Sequence, residues 1–264
     1  MGSATRAALA VSRRELANTS AKDGLVIGEQ LFEAGRVLGT SASLRSAFAD
    51  PAAAPQAKTA LVSKLFAGLG VPARTILSTV VATRWSTQDD LLAGIEELGV
   101  RAIARSAPAG TTIEDELFAF GTAVASNADL ELALSSKLGT NEAKAALVTA
   151  LLGRGASTHS IAIVRQLVQQ PRGRRIAELL RSSATSVADE ASLAIATVTS
   201  AAPLSAAQLE RLGEGLAAKY GRGIRLNQVV DPSIIGGVRV QIGDEMIDGT
   251  VSTRLTQLRL QLAG

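Results

Sequence analysis

The feature that most constrains this chain is an internal repeat. The segment beginning at Leu31 recurs without a gap at Leu117, 86 residues further on: Leu31, Phe32 and Gly35 match Leu117, Phe118 and Gly121, and Leu44 and Ala47 match Leu130 and Ala133. Ala57-Lys58 and Ala60-Leu61-Val62 match Ala143-Lys144 and Ala146-Leu147-Val148, and Leu65 matches Leu151. Beyond about residue 70 the register blurs, although Leu77 and Val81 still face Ile163 and Leu167. Solenoids use shorter units and need more than two of them to bury their ends. Duplication of a whole small domain accounts for the pattern better.

The spacing within each copy is helical. Ile27, Leu31, Ala34 and Leu38 form one stripe, Leu44 to Phe48 a short helix, and Leu61, Leu65 and Leu69 another stripe. Pro72 opens a helix carrying Ile76, Leu77, Val80 and Val81, and Leu91, Leu92, Ile95, Leu98 and Ala102 follow before the breaker Pro108-Ala109-Gly110. Residues 1–108 therefore read as a bundle of about six helices and 111–190 as a second helical domain repeating about 31–105. With 47% apolar but only 3% aromatic residues, thin-cored helical layers fit better than aromatic-rich sandwiches.

After Ala191 the period changes. Leu193 to Ser200, and then Ile224, Leu226, Gln228 and Val230, alternate as half-buried strands, with Ser205 capping a helix on Leu209, Leu212 and Leu216 between them. Val238, Val240 and Ile242 alternate again, and Gly243-Asp244 reverses the chain. A last helix is expected to begin at Asp248-Gly249-Thr250, with Val251, Leu255, Leu258 and Leu262 as a narrow stripe that needs something to pack on. The fold class is thus mainly α: a six-helix-type bundle, a second, duplicated helical domain, and a small α+β domain over 191–264.

Several functional classes lack material. There is no cysteine, which removes disulfides and thiolate chemistry, and His159 is the sole histidine, so no histidine metal cluster is available. We read His159 as a surface residue at a helix start. Asp89-Asp90 and Glu96-Glu97 are neighbours on helices and point about 100° apart, so we read them as solvated faces and not as a converging acid–base pair. Gly213-Glu-Gly215 and Gly221-Arg-Gly223 lack the lysine of a phosphate loop and are read as turns and helix ends. Arg172, Arg174, Arg175 and Arg181 have no interleaved aromatics for base stacking, and the net charge is only +3, from 27 cations against 24 anions. Trp85 is expected to plug the first bundle. No catalytic, cofactor or metal residues are assigned, and no cofactor is implied.

The longest oily stretch, Ala143 to Gly153, is about half the roughly 20 residues that cross a bilayer, and the arginines between Met1 and Ser20 interrupt any secretory apolar core. Any membrane association is expected to run through partners.

The stretch from Val230 to Leu255 carries an ordered set of positions: Asp231, Pro232, Ile235, Gly236, Gly237, Val240, Ile242, Gly243, Asp248, Gly249, Ser252 and Leu255. This set resembles the C-terminal signature of the delta subunit and oligomycin-sensitivity-conferring protein family of F-type ATP synthases. The resemblance implies a non-catalytic stator at the cytoplasmic face of the cell membrane. Its helical domain would grip N-terminal segments of the alpha subunits and its C-terminal module the distal ends of b-type stalk helices, resisting rotor torque during ATP synthesis and hydrogen ion transport. Family members carry one helical domain before this module, and this chain carries two. The first copy is expected to keep the head-binding role. Gly236 and Gly237 could instead be purely conformational, and the alternative to the whole reading is a helical adaptor or scaffold unrelated to the synthase.

Overall fold

The computed structural model describes residues 2–136, 139–191, 193–221, 223–243 and 245–251. They form two compact units, Met1–Val187 and Ala188–Gly264. The expected division between 108 and 111 falls inside the first.

The first unit is helical. Its elements are α1 (Ser3–Ala17), a 3-10 turn (Ala21–Asp23), α2 (Gly24–Thr40), α3 (Ala42–Ala49), α4 (Pro55–Leu65), α5 (Val71–Ala82), α6 (Gln88–Ser106), α7 (Ile113–Ala125), α8 (Ala128–Ser135), α9 (Asn141–Leu152), α10 (Thr158–Gln169) and α11 (Ile176–Glu190), the last running past the unit boundary. Local chemistry sets the ends. Ser41, Thr87, Asn127, Thr140 and Ser157 each accept a hydrogen bond from a backbone N–H three residues on, and prolines stand in the first turns of α4 and α5.

The spacing of 86 seen in the sequence orders these helices. A shift of 86 carries α3 onto α8 end for end and the cap Ser41 onto the cap Asn127. It also pairs Leu31 with Leu117, Leu38 with Val124, Phe48 with Leu134, Val62 with Val148, Leu77 with Ile163 and Val81 with Leu167, every one of them fully buried. Even Lys58 and Lys144 match at 7% exposure. The register slips by one residue in the last pair: Leu91, Ile95, Leu98 and Ala102 of α6 correspond to Ile176, Leu180, Ser183 and Val187 of α11. The α4 stripe is rotated from expectation, with Val62, Phe66 and Leu69 buried and Leu65 exposed.

The same shift carries α1 onto α6. Thr5, Ala8, Leu9, Ser12 and Leu16 are the buried face of α1, and Leu91, Gly94, Ile95, Leu98 and Ala102, each 86 residues on, are buried in α6. Helix α6 is therefore the sixth helix of the first set and, by position, the first helix of the second. It touches α1, α2, α3 and α5 of the first set and α10 of the second. From Leu98 to Ile103 it is buried around its whole circumference, the pattern of a core helix and not a surface one. Arg101, inside that stretch, is neutralised by Glu97 at 2.7 Å.

Close approach of α2 and α6 depends on small residues. A Cβ on Gly28 would stand 2.6 Å from the carbonyl oxygen of Gly99 and 2.5 Å from Ile103 Cγ1, and one on Gly24 would stand 2.1 Å from the carbonyl oxygen of Ala102. Trp85 is buried as expected, over Gly94, its Nε1 donating to Val80 O at 2.8 Å.

Two readings of charged residues are corrected. Glu96 and Glu97 are not solvated: Glu96 accepts from Arg172 at 3.0 Å and from Arg174 at 2.9 Å, and Glu97 accepts from Arg13 and Arg101. The pairing partners lie 76 to 84 residues away or one turn along, separations that single-helix geometry does not reveal. His159 sits at the start of α10 but is buried, at 8% exposure.

The second unit is a sheet with one helix. Strands β1 (Leu193–Ser200), β2 (Gly223–Val230), β3 (Val238–Ile242) and β4 (Glu245–Asp248) stand in the order β2-β1-β3-β4. β1 and β2 are parallel, Leu193 opposite Gly223, and joined by α12 (Ala206–Tyr220); β3 runs antiparallel to β1 and β4 antiparallel to β3. A full capping box, Ser205 with Gln208, starts α12, and Gly221 at φ 68 ends it. Ala194, Ala196 and Val198 bury one face of β1 against Leu216, Val240 and Ile242.

Replacing Gly28 with valine is expected to destabilise the helical unit by about 1–3 kcal/mol through overpacking, lowering its thermal midpoint by roughly 2–4 °C per kcal/mol. An unchanged midpoint would show that α2 and α6 do not depend on this contact.

Candidate functional site

Ten of the twelve signature positions lie among the described residues; Ser252 and Leu255 lie outside them, as do Leu258 and Leu262 of the expected last helix. Seven of the ten gather at one end of the sheet, in the 231–237 turn and at the end of β4; Val240 and Ile242 lie along β3, and Gly243 lies in the β3–β4 turn at its other end.

The first turn is built on Asp231. Its N–H donates to Ser200 O at 2.9 Å, continuing the β1–β2 pairing by one step, and its Oδ1 accepts from Ser233 N at 2.9 Å and Ser233 Oγ at 2.7 Å. These two donors, the hydroxyl first, hold the carboxyl below its ordinary value. Pro232 is exposed and Ile234 buried, so the chain turns outward and back within a few residues. Gly236 and Gly237 follow at φ 72 and 83, where a side chain is strained.

That strain is coupled to a close contact. The carbonyl of Gly236 accepts from Val251 N at 3.2 Å, and Gly249 N donates to Val238 O at 3.0 Å. A Cβ on Gly237 would lie 2.5 Å from Gly249 O and 2.8 Å from Thr250 Cα. Asp248 locks the opposite wall: its Oδ1 accepts from Thr250 N at 2.9 Å and its Oδ2 from Arg239 Nε at 3.4 Å. Gly243, at φ 56, reverses the chain between β3 and β4. Asp231, Gly236, Gly237, Gly243, Asp248 and Gly249 therefore perform backbone work, and Val240 and Ile242 fill the core.

What remains is outward. Ile235 is 76% exposed, far above the ordinary for isoleucine, and Val251, whose Cγ2 faces Gly236, is 43% exposed; Met246 on edge strand β4 is also exposed. Met246 and Val251 were not singled out in the sequence as exposed surface, since alternation alone does not say which face of an edge strand is covered. Among the described residues no group of three or more His, Asp or Glu side chains could hold a metal ion, and no single helix is long and apolar enough to cross a bilayer.

The chain thus combines a helical unit with a small sheet whose ordered glycine and aspartate turns present exposed apolar side chains. Residues 100–262 match the ATP synthase delta (OSCP) subunit family. The chain is 55% identical over its full length, and the full length of the relative, to ATP synthase subunit delta of Leifsonia xyli subsp. xyli. It is 39% identical, again over both full lengths, to that of Streptomyces griseus, and 40% identical over 90% of each chain to that of Thermobifida fusca. The chain belongs to the ATP synthase delta (OSCP) subunit family. It is a structural peripheral-stalk subunit of that membrane-associated complex.

The family match begins at residue 100, inside α6, and so takes in α7–α11 and the sheet. The region before it, α1 to α5, is present in full in the Leifsonia relative.

Gly237→Ala is expected to expose the amides of Gly249 and Val251 to faster hydrogen exchange, while Ile235→Ser leaves both unchanged; equal exchange in the two variants would contradict this division of labour. Because the Asp231 carboxyl is held below its ordinary value of 3.8, its contribution to the turn is present above that value and lost as pH falls through the lowered one. Exchange of the Ser233 amide should accelerate there, and Asp231→Asn should remove the pH dependence.

Proposed function

We propose that this chain ties the catalytic head of the synthase to its peripheral stalk without catalysing a reaction. The helical unit receives N-terminal segments of the alpha subunits, and the 231–251 surface receives the distal ends of b-type stalk helices, at the cytoplasmic face of the cell membrane. In this reading the first copy, residues 1–108, grips the head, the second, 111–190, acts as a spacer or stalk-bracing element, and 191–264 is the stalk module. The full-length relationship to delta subunits carries the proposal; the exposure of Ile235 within the signature supports the choice of the 231–251 surface.

The task sets a physical requirement. A stator link must outlast many rotor turns, so its contacts need slow release. Nanomolar binding corresponds to about −12 kcal/mol and a standard interface buries roughly 800 Å² per partner. Rigid glycine-locked turns favour this, because a surface already in its bound shape loses little entropy on docking. Acidic groups that could otherwise suggest chemistry, Glu96 and Glu97, are spent on arginine pairs. A free-standing adaptor reading leaves the full-length relationship unexplained.

Affinity purification of the tagged chain from detergent-solubilised membranes is expected to recover alpha and b-type subunits in moderate salt. Ile235→Asp should lower recovery of the b-type subunit at least tenfold and leave alpha recovery unchanged. Recovery of no synthase subunits, or equal recovery of b from the variant, would overturn the assignment.

A further inference from the structure

The two helical sets differ in charge at matching positions. In the first set, α6 opens with Asp89 and Asp90 in its first turn, where the helix dipole favours anions. In the second, the one-residue slip puts Arg174 and Arg175 at those places, directly before α11. A second exchange accompanies the first. Burial pushes Lys58 below its ordinary value and the carboxylate of Asp50 pushes it back up. Lys144, 86 residues on, is as deeply buried, but Ser136 stands in the place of Asp50. Folding alone does not call for these exchanges, since the first set builds the same helices with carboxylates there.

The exchanged cations line one cleft of ≈ 1300 Å³ in the helical unit, together with Arg45 and Arg172. Little answers their charge. Arg172 and Arg174 share the single carboxylate of Glu96, and burial pulls Arg172 below its ordinary value against the attraction of Glu96. Arg45 donates to the carbonyls of Leu38 and Gly39, which are neutral acceptors. Lys144 and Arg175 have no hydrogen bond or ion pair among the described residues. The lining carboxylates are Asp89 and Glu131, and Glu131 already accepts from Ile176 N at 3.0 Å. Arg36 also lines the cleft but has Glu33 and Glu29 close by on its own helix.

We propose that this cleft binds a small phosphorylated anion, a diphosphate or short polyphosphate, held by Lys144 and Arg175. A phosphate group brings about 1.5–2 negative charges where a carboxylate brings one, and the fork of a guanidinium matches its oxygens in pairs. Two linked phosphates therefore offset the surplus that Arg45, Lys144, Arg172, Arg174 and Arg175 keep over Asp89, Glu131 and Glu96. Among the described residues the lining holds no aromatic ring on which a nucleotide base would stack, so the phosphate chain is the part recognised. The cleft is roomier than small-molecule sites of up to about 1,000 Å³, and admits the anion with part of its water, so charge and not close fit selects it. The site uses no residue of the 231–251 surface and does not depend on which subunits the chain joins.

The test is isothermal titration of sodium pyrophosphate into the purified full-length chain. One saturable site is expected, with affinity at least tenfold lower in Lys144→Met and in Arg175→Gln. Arg175 is exposed, so its variant should keep the parent circular dichroism spectrum even if the buried Lys144 does not tolerate replacement. Arg211→Gln, at an exposed position on α12, should bind as the parent chain does. No saturable binding, or an affinity unchanged in Arg175→Gln, would overturn the proposal. So would an equal loss in Arg211→Gln, the mark of diffuse attraction to a basic chain, or equally tight binding of malonate at matched ionic strength, the mark of a site for any anion.

Discussion

The helical unit depends on burying α6 around its whole circumference. Most helices in a bundle turn one stripe inward and leave another to water, but Leu98 to Ile103 meet protein on every side. The helix packs closely against the α2 glycines and also meets α10. Truncating a fully buried leucine or isoleucine there costs about 2–5 kcal/mol, a large part of a domain's net stability of about 5–15 kcal/mol. Side chains bridge the two sets as well: Arg36 donates to Gln166, Gln166 to Gln170, and Gln170 to the carbonyl of Gly35. Sharing one helix removes the linker that two tandem domains would otherwise need, and with it the obvious hinge.

That sharing also explains what the sequence did and did not reveal. The mainly α class, the change of period after Ala191 and the spacing of 86 are periodicities, and burial on one face writes periodicities directly into composition. The role of α6 in both sets escaped because its match to α1 is one of burial and not of identity: Thr5 becomes Leu91 and Ser12 becomes Leu98. Ion pairs escaped for a different reason. Glu96 with Arg172 and Arg174, and Glu97 with Arg13, join residues far apart in the chain, and an isolated pair of glutamates carries no mark of a distant partner. His159 appeared exposed because its helix position says nothing of what packs over the first turn.

In the sheet unit the signature was legible as an ordered set of residue types, but its division of labour was not. Glycine at 236 and 237 answers both to positive φ and to the approach of Gly249 and Thr250. Asp231 and Asp248 each tie a side chain to backbone N–H groups two residues on. Ile235 is left as the outward residue. A frame of locked turns presenting an exposed apolar side chain suits a peripheral-stalk subunit of the synthase.

Native-state hydrogen exchange on the intact chain tests the shared helix most directly. If α6 closes both sets, its amides from Leu98 to Ile103 exchange most slowly, and α2, α5 and α10 open with them in a single cooperative step as denaturant rises. If α1 to α5 open in a separate transition at lower denaturant while α6 to α10 stay protected, the two sets are independent and the account fails.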